Sequence, residues 1–281
     1  MRLLLTLPLG LFIGLALGAL GGGGSILAVP ALVYVVGLGP KGAVTTSLVV
    51  VGVAALGGVI GHWRAGRVRV SAGLWFGVAG VAASLLGTRL NRAVDPNVLL
   101  AAFAGLMMLA AWRMWVAARR SRHQVASSGP SERTSTGGAV AGHSSVQTLV
   151  RPPARQLRMS TVLRVLVAGS VVGFMTGFFG VGGGFIIVPA LVLALGFDMP
   201  TAVGTSLLII ALNSAVALAS RLATTGVDWH VAIPFTLAGV AGAVAGNHLA
   251  TRVHASTLQR WFTVLLIVVA TYTLARVAGS T

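Results

Sequence analysis

The sequence predicts an all-α integral membrane protein built from two inverted repeats of about five helical segments each, and three observations support this prediction. First, 56% of the 281 residues are hydrophobic and only 9% are charged, whereas a soluble domain carries about 25% charged residues. Second, the apolar residues form separate runs, several of them close to the roughly 20 residues that cross a bilayer. Third, the two halves of the chain match each other in sequence.

Ten apolar runs define the predicted helical segments, five on each side of a polar stretch. The mean hydropathy of +0.93 leaves too few polar side chains to cover a water-facing surface, so lipid must be part of the solvent. The polar stretch 117–160 is rich in Ser, Thr, Gly, Pro and Arg and is predicted to be a mobile linker between a first membrane repeat, 1–116, and a second, 161–281. The runs are 3–20, 26–37, 43–62, 70–90, 97–116, 161–179, 185–196, 201–221, 229–250 and 257–277.

A shift of 159 residues aligns the two halves without a gap. Within 14–48, 16 of 35 residues are identical to their counterparts, which is more than a biased composition produces by chance. The matches include VPALV at 29–33 with 188–192, and TSL at 46–48 with 205–207. The chain therefore contains a duplicated unit. Because the first 20 residues have a counterpart inside the chain, they are expected to remain rather than to be removed as a signal peptide.

The distribution of positive charge predicts how the chain lies in the membrane. Twenty Lys and Arg against four Asp and Glu give a net charge of +16. These charges lie between apolar runs and in the linker, which favours membrane topology over nucleic-acid binding. The linker and the loops 62–69 and 248–256 are expected in the cytoplasm. The first half then starts outside and the second starts inside, so the halves are predicted to form an inverted repeat.

A glycine cluster followed by a short apolar run opens each half. The clusters are GGGGS at 21–25 and GVGGG at 180–184, and each following run has only about 12 residues. Such a helix rises about 18 Å, too little for a core of about 30 Å. We therefore expect re-entrant or broken helices whose glycine tips meet near the midplane, where helix N-termini bind anions. The alternative is that glycines only let helices pack closely, as expected for Gly14, Gly18, Gly57, Gly61, Gly173 and Gly177.

Polar side chains near the clusters complete the predicted substrate site. Their hydroxyls can donate hydrogen bonds to anion oxygens, although capping or a bond to the previous helical turn explains any single hydroxyl equally well. Asn213 is a polar residue within an apolar run. Arg89 and Arg221, near helix ends, either snorkel to the interface or attract anions to a vestibule. The predicted substrate-binding residues are Gly22, Gly23, Gly24, Ser25, Thr46, Ser47, Gly182, Gly183, Gly184, Thr205, Ser206 and Asn213.

Several kinds of site are disfavoured by the residues that the sequence lacks. Without cysteine it has no disulfide, thiol nucleophile or thiolate metal site, and neither a metal nor another cofactor is predicted. All four carboxylates fall in predicted loops, so none lies mid-helix for a proton or sodium relay. His62, His230 and His248 lie near helix ends and are expected at the interface rather than in a relay. The carboxylates are Asp95, Glu132, Asp198 and Asp228.

These motifs resemble those of the TauE/SafE family of sulfite and organosulfonate transporters. The resemblance rests on GGGGSILAVP at 21–30 and GVGGGFIIVP at 180–189, and on AVTTS at 43–47 and AVGTS at 202–206. The basic loop HWR at 62–64 adds to it, and the match covers nearly the whole chain except the linker. The resemblance implies a bacterial inner-membrane permease for sulfite, sulfoacetate or related C2 sulfonates.

Three functions can be compared with these sequence features. The first is an alternating-access carrier in which tips and hydroxyls bind the sulfur anion at the midplane. The alternative is an anion-selective channel with the same glycine-tip filter. A membrane enzyme, or a scaffold for one, is disfavoured because the sequence shows no metal cluster, no nucleophile with a base and no paired carboxylates. The expected partners are a small sulfur anion and the lipid bilayer, without nucleic acid; a homo-oligomer is left open.

Overall fold

The computed structural model describes residues 2–91, 94, 96–127, 159–179, 184–222 and 226–278, and every regular element in these ranges is helical. Helices are what long apolar segments form in lipid, because a helix satisfies its backbone hydrogen bonds internally. In chain order the helices are α1 (Arg2–Leu20), α2 (Gly23–Pro30), α3 (Pro40–Arg64), α4 (Val70–Asn91), α5 (Pro96–Ser127), α6 (Met159–Phe179), α7 (Gly184–Leu193), α8 (Met199–Leu222), α9 (Trp229–Arg252) and α10 (Ala255–Ala278).

Six helices in the described ranges are long and apolar enough to cross a membrane. They belong to α3, α4, α6, α8, α9 and α10, with spans of 18 to 24 residues and mean hydropathies between 1.2 and 2.2. The prediction of an all-helical integral membrane protein is therefore confirmed. Shorter apolar helical stretches are Thr6–Leu20, Gly23–Val33, Ala102–Val116 and Gly184–Leu193.

The second helix of each half is too short to cross a bilayer. α2 has 8 residues and continues into a π-helical turn of 5, Ala31–Val35, while α7 has 10 residues. At 1.5 Å per residue α7 rises about 15 Å, half of a core of about 30 Å. The chain turns from α1 into α2 at Gly21, whose φ of +71° suits glycine. α2 then packs back on α1, where a Cβ on Gly24 would lie 2.7 Å from the backbone nitrogen of Leu17.

The first helix of each half packs along the fourth helix of the other half. α1 lies along α9, and α6 lies along α4. A Cβ on Gly14 would overlap the backbone of Gly239, and a Cβ on Gly173 would overlap that of Gly80. These two contacts are counterparts under the 159-residue shift, and they show glycine used for close packing, as expected for these positions. One turn later the equivalent contacts are Gly18 with Ala243 and Gly177 with Ser84.

The third helices of the two halves, α3 and α8, lie side by side and run in opposite directions. Gly52 of α3 meets Ser214 of α8, whereas Gly58, further along α3, meets Leu207, which is nearer the start of α8. An antiparallel pair of equivalent helices has its two-fold axis perpendicular to the helices, which is the axis that an inverted repeat needs. Which side of a membrane each repeat faces stays a prediction.

The fifth helix extends beyond the apolar run that predicts it. The apolar run 97–116 is the first part of α5, which continues to Ser127 and so extends into the predicted linker. Met159 begins α6. Residues 128–158 lie outside the described ranges, and the division of the chain into two repeats and a linker stays a prediction.

Replacing residues 128–150 by a Gly/Ser sequence of equal length is expected to leave transport within about twofold of wild type, because a linker of this composition supplies reach rather than contacts. The measurement is the initial rate of anion flux into proteoliposomes, normalised to inserted protein. A well-inserted variant that lost its flux would contradict the linker interpretation.

Candidate functional site

The two glycine tips meet directly at Gly22 and Gly184. Gly22 is the N-cap of α2 and has helical torsion angles, φ −61° and ψ −14°. A Cβ on Gly22 would overlap the carbonyl of Gly184 and lie 2.6 Å from the backbone nitrogen of Phe185. The N-terminal ends of α2 and α7, which come from opposite halves, therefore touch backbone to backbone. Gly182 and Gly183, also predicted for the site, lie outside the described residues.

The three glycines of the first cluster that are predicted for the site have different neighbours, although all are buried. Gly22 faces the opposite tip. A Cβ on Gly23 would instead point at α10, 2.6 Å from Cδ2 of Leu265, and Gly24 faces α1. Of the three, only Gly22 would direct a Cβ at the opposite tip. A role in substrate binding stays a prediction for all three.

Ser25 and Ser206 lie against the glycines of the tips. Ser25 Oγ donates a hydrogen bond of 2.7 Å to the carbonyl oxygen of Gly22 and also lies beside Gly184. Ser206, on α8, is fully buried and its Oγ is the nearest atom to the place where Gly21 would carry a Cβ. Both halves of the chain thus contribute a hydroxyl to the first tip.

The paired Thr–Ser motifs of α3 and α8 divide into two kinds of hydroxyl. Ser47 and Ser206 are counterparts, and each donates a 2.8 Å hydrogen bond to the carbonyl three residues earlier. Their hydrogens are therefore bonded to the previous helical turn and are not available to an anion in this conformation. This is the alternative to anion binding that the sequence analysis gives for a single hydroxyl. Thr46 Oγ1 is buried without a partner among the described residues. Thr205 Oγ1 accepts a 3.1 Å hydrogen bond from the Arg69 backbone, so its hydrogen is still free to donate.

The remaining predicted residues lie on α8 and α4. Asn213 is half-buried, and its Oδ1 has no partner in the described part of the chain. Arg221 is exposed at the end of α8, about 22 Å along that helix from Ser206. Arg89 is exposed in the last turn of α4. The structure therefore does not bring either arginine to the contact between the tips.

One buried polar side chain that the sequence did not indicate lies against the last turn of α1. His62 is fully buried, and its Nε2 lies 3.3 Å from the carbonyl oxygen of Gly18. His62 is enclosed by protein rather than exposed, because a glycine on each neighbouring helix leaves room for it. These are Gly18 on α1 and Gly204 on α8, where a Cβ would come within 2.9 Å of the His62 Cβ. Its expected depth near the membrane interface stays a prediction. His230 and His248 are exposed, as expected.

Asn247 is another buried polar side chain, and it lies beside the residue that precedes His62. It is 7% exposed, and a Cβ on Gly61, the residue before His62, would overlap its amide. Its Oδ1 is buried without a partner among the described residues.

Comparison with known proteins decides the family. Residues 6–273 match the model of the family described as sulfite exporter TauE/SafE. The chain belongs to the TauE/SafE family. It is 34% identical over 281 residues to a probable membrane transporter protein of Xylella fastidiosa strain 9a5c, covering 98% of this chain and 95% of the relative. It is 24% identical over 277 residues to the probable membrane transporter protein YunE of Bacillus subtilis strain 168, covering 96% of each. No solved structure gives a significant match.

Membership in the TauE/SafE family makes this chain a membrane transporter, and the matched region contains both glycine tips and both Thr–Ser motifs. The resemblance drawn from these motifs is thereby confirmed. No sequence signal marked the burial of His62. The residues buried on its side of α3, such as Val51 and Val59, are no more apolar than the exposed Val53 and Ile60 on the other side.

Proposed function

We propose that this TauE/SafE protein is a permease for small sulfur-containing anions, namely sulfite, sulfoacetate or related C2 sulfonates. The observation that carries the proposal is the contact of Gly22 with Gly184, which brings the N-termini of two short helices together. The first N–H groups of a helix have no acceptor within it and bind anions. Because each sulfonate or sulfite group has three oxygens, it can accept hydrogen bonds from both helix ends.

The hydroxyls of Thr46 and Thr205 are the side-chain donors proposed to complete this site. They are counterparts on α3 and α8 and are both fully buried. Neither hydroxyl hydrogen is engaged with another described residue. In this proposal they add donors of no net charge to those of the two helix ends, so that an anion is bound without a fixed cation at the tips.

An alternating-access carrier suits the packing of the tips better than an open channel. A single methyl group at Gly22 does not fit between the tips. An anion therefore enters only if the two helix hairpins, α1 with α2 and α6 with α7, separate at their tips. The antiparallel α3 and α8 support an inverted repeat, in which the two hairpins exchange conformations and open the site to alternate sides. We propose that the linker faces the cytoplasm and that the membrane is the bacterial inner membrane.

Counterflow in proteoliposomes tests this function. We expect that labelled sulfoacetate enters with a saturable rate that unlabelled sulfoacetate or sulfite inside the vesicles accelerates. Ohmic single-channel currents with no acceleration would favour the channel instead. A thermal-shift comparison of sulfite, sulfoacetate, taurine, thiosulfate, sulfate and simple carboxylates accompanies it, with stabilisation expected for the sulfur oxyanions. Stabilisation by carboxylates alone would contradict the proposed substrate class.

A further inference from the structure

His62 is a buried titratable side chain that the proposed transport site does not use. Its Nε2 contacts the carbonyl oxygen of Gly18, which lies in the last turn of α1, just before the first glycine tip. A carbonyl oxygen can only accept, so Nε2 must be the nitrogen that carries the hydrogen in both charge states of the ring. In the neutral ring, Nδ1 then carries a lone pair and can only accept a hydrogen bond.

That second ring nitrogen has nothing to bind among the described residues, and it is fully enclosed. A buried acceptor without a donor costs free energy, which is why such groups are rare in folded proteins. Protonation would turn Nδ1 into a donor and the ring into a cation. The new donor requires an acceptor, and the cation is stabilised by negative charge, so an anion at that place meets both needs.

Arg67 lies beside His62 and also has a buried polar atom without a hydrogen-bond partner among the described residues. Its backbone N–H donates a 2.9 Å hydrogen bond to the carbonyl oxygen of His62, and its charge acts electrostatically on the ring. The guanidinium Nη1 is buried without a hydrogen-bond partner in the described part of the chain. An arginine whose buried donor faces no carboxylate is suited to bind an anion from solution.

We propose that His62 and Arg67 form a second anion position, at which binding of a sulfonate or sulfite is coupled to uptake of one proton by His62. The proposal rests on the proposed transport of such anions. In the empty site the ring is fully buried, where an unpaired positive charge costs free energy, the more so beside the positive charge of Arg67. An anion between the two groups offsets that cost and accepts from Nδ1–H and from the guanidinium, so anion and proton bind together.

Among the residues that the structure describes, few titratable groups lie near this position. α1 and α8 present Gly18 and Gly204 to His62, and neither residue titrates. On the other packed elements Arg64, Arg69, His248 and Arg252 are exposed. Asp198, before α8, is exposed and accepts a hydrogen bond from the Thr201 backbone. Arg67, whose backbone is bonded to that of His62, is therefore the charged residue that we pair with His62.

A purely structural role for His62 gives a different expectation. A histidine bonded to a carbonyl at a helix C-terminus can simply cap that helix. Glutamine can keep the cap, because its amide donates to the Gly18 carbonyl, but it cannot take up a proton. His62→Gln therefore separates the two roles.

The experiment is calorimetric titration of the purified wild-type protein with sulfoacetate at pH 7.5, in two buffers of different ionisation enthalpy. Sulfoacetate is fully ionised there, so any proton taken up goes to the protein. We expect about one proton taken up per protein molecule at saturation for wild type and about none for His62→Gln. The matched control is His248→Gln, an exposed histidine on α9, which should retain the wild-type uptake. Arg67→Gln should weaken sulfoacetate binding roughly tenfold or more, while Arg64→Gln, at an exposed site, should not.

The outcomes separate this inference from the proposed function. Wild type that binds sulfoacetate without proton uptake, or His62→Gln that keeps the uptake, overturns the coupling and leaves the permease intact. If His62→Gln cannot be purified, His62→Asn replaces it, and a wild-type uptake of zero is decisive without either variant. Absence of binding by sulfoacetate and sulfite alike overturns the permease and this inference together.

Discussion

Replacing Gly22 by alanine is expected to abolish saturable sulfoacetate transport, a loss of more than tenfold in initial rate. The torsion angles of Gly22 suit alanine, so the backbone is not strained. The added methyl group would overlap the Gly184 carbonyl, and backbone atoms can yield only if the two tips move apart. The methyl group then occupies the space between the two helix ends in which the anion is proposed to bind. The measurement is counterflow in proteoliposomes containing equal amounts of inserted protein.

The matched control is Gly23→Ala, one residue further along the same tip. Its methyl group would meet the end of the Leu265 side chain, which can rotate away at small cost. We expect it to keep transport within a few-fold of wild type, with similar thermal stability. Wild-type transport by well-inserted Gly22→Ala would exclude the tip contact from the anion pathway, and loss in both variants would show that the effect is not specific to that contact.

Replacing Gly173 by alanine is expected to destabilise the protein most strongly among the packing variants. The methyl group would overlap the Gly80 carbonyl and force α6 away from α4 along their contact. Overpacking of this kind costs about 1–3 kcal/mol or more, and the Tm in detergent should fall by about 5 °C or more. Gly14→Ala, the counterpart between α1 and α9, should show the same effect.

Gly77→Ala on α4 is the control for these packing variants. A Cβ there would meet only the Leu212 side chain, at an ordinary 3.7 Å. Alanine is favoured over glycine within a helix by roughly 0.5–1 kcal/mol, so we expect a Tm equal to wild type or slightly higher. Equal Tm values for Gly173→Ala and wild type would mean that α4 and α6 do not pack as closely as described.

Much of the fold followed from the sequence because the chain repeats itself. The duplication fixed which apolar runs correspond, and the short runs after the glycine clusters became α2 and α7. The apolar run 97–116 ends before α5 does, since the chain is helical to Ser127. The residues beyond 116 are too polar to be recognised as a continuation of that run.

The site was predicted less completely, because apolar patterning does not distinguish the lipid-facing side of a membrane helix from its protein-facing side. Both sides are apolar, so the sequence could not tell that Gly22 faces Gly184 while Gly23 faces α10. For the same reason His62, close to a basic loop, was expected at the interface. Its burial depends on Gly18 and Gly204, which are distant in sequence.

The sequence by itself determined the class, the family and the presence of two glycine tips, since composition, repetition and motif are local properties of the chain. Only the tertiary structure decided which glycines touch, that Ser47 and Ser206 are bonded to their own helices, and that His62 and Arg67 lie together beside the end of α1. Those features depend on the distances between helices from opposite halves. Such distances are set by whether each contact residue carries a Cβ and by what stands opposite it.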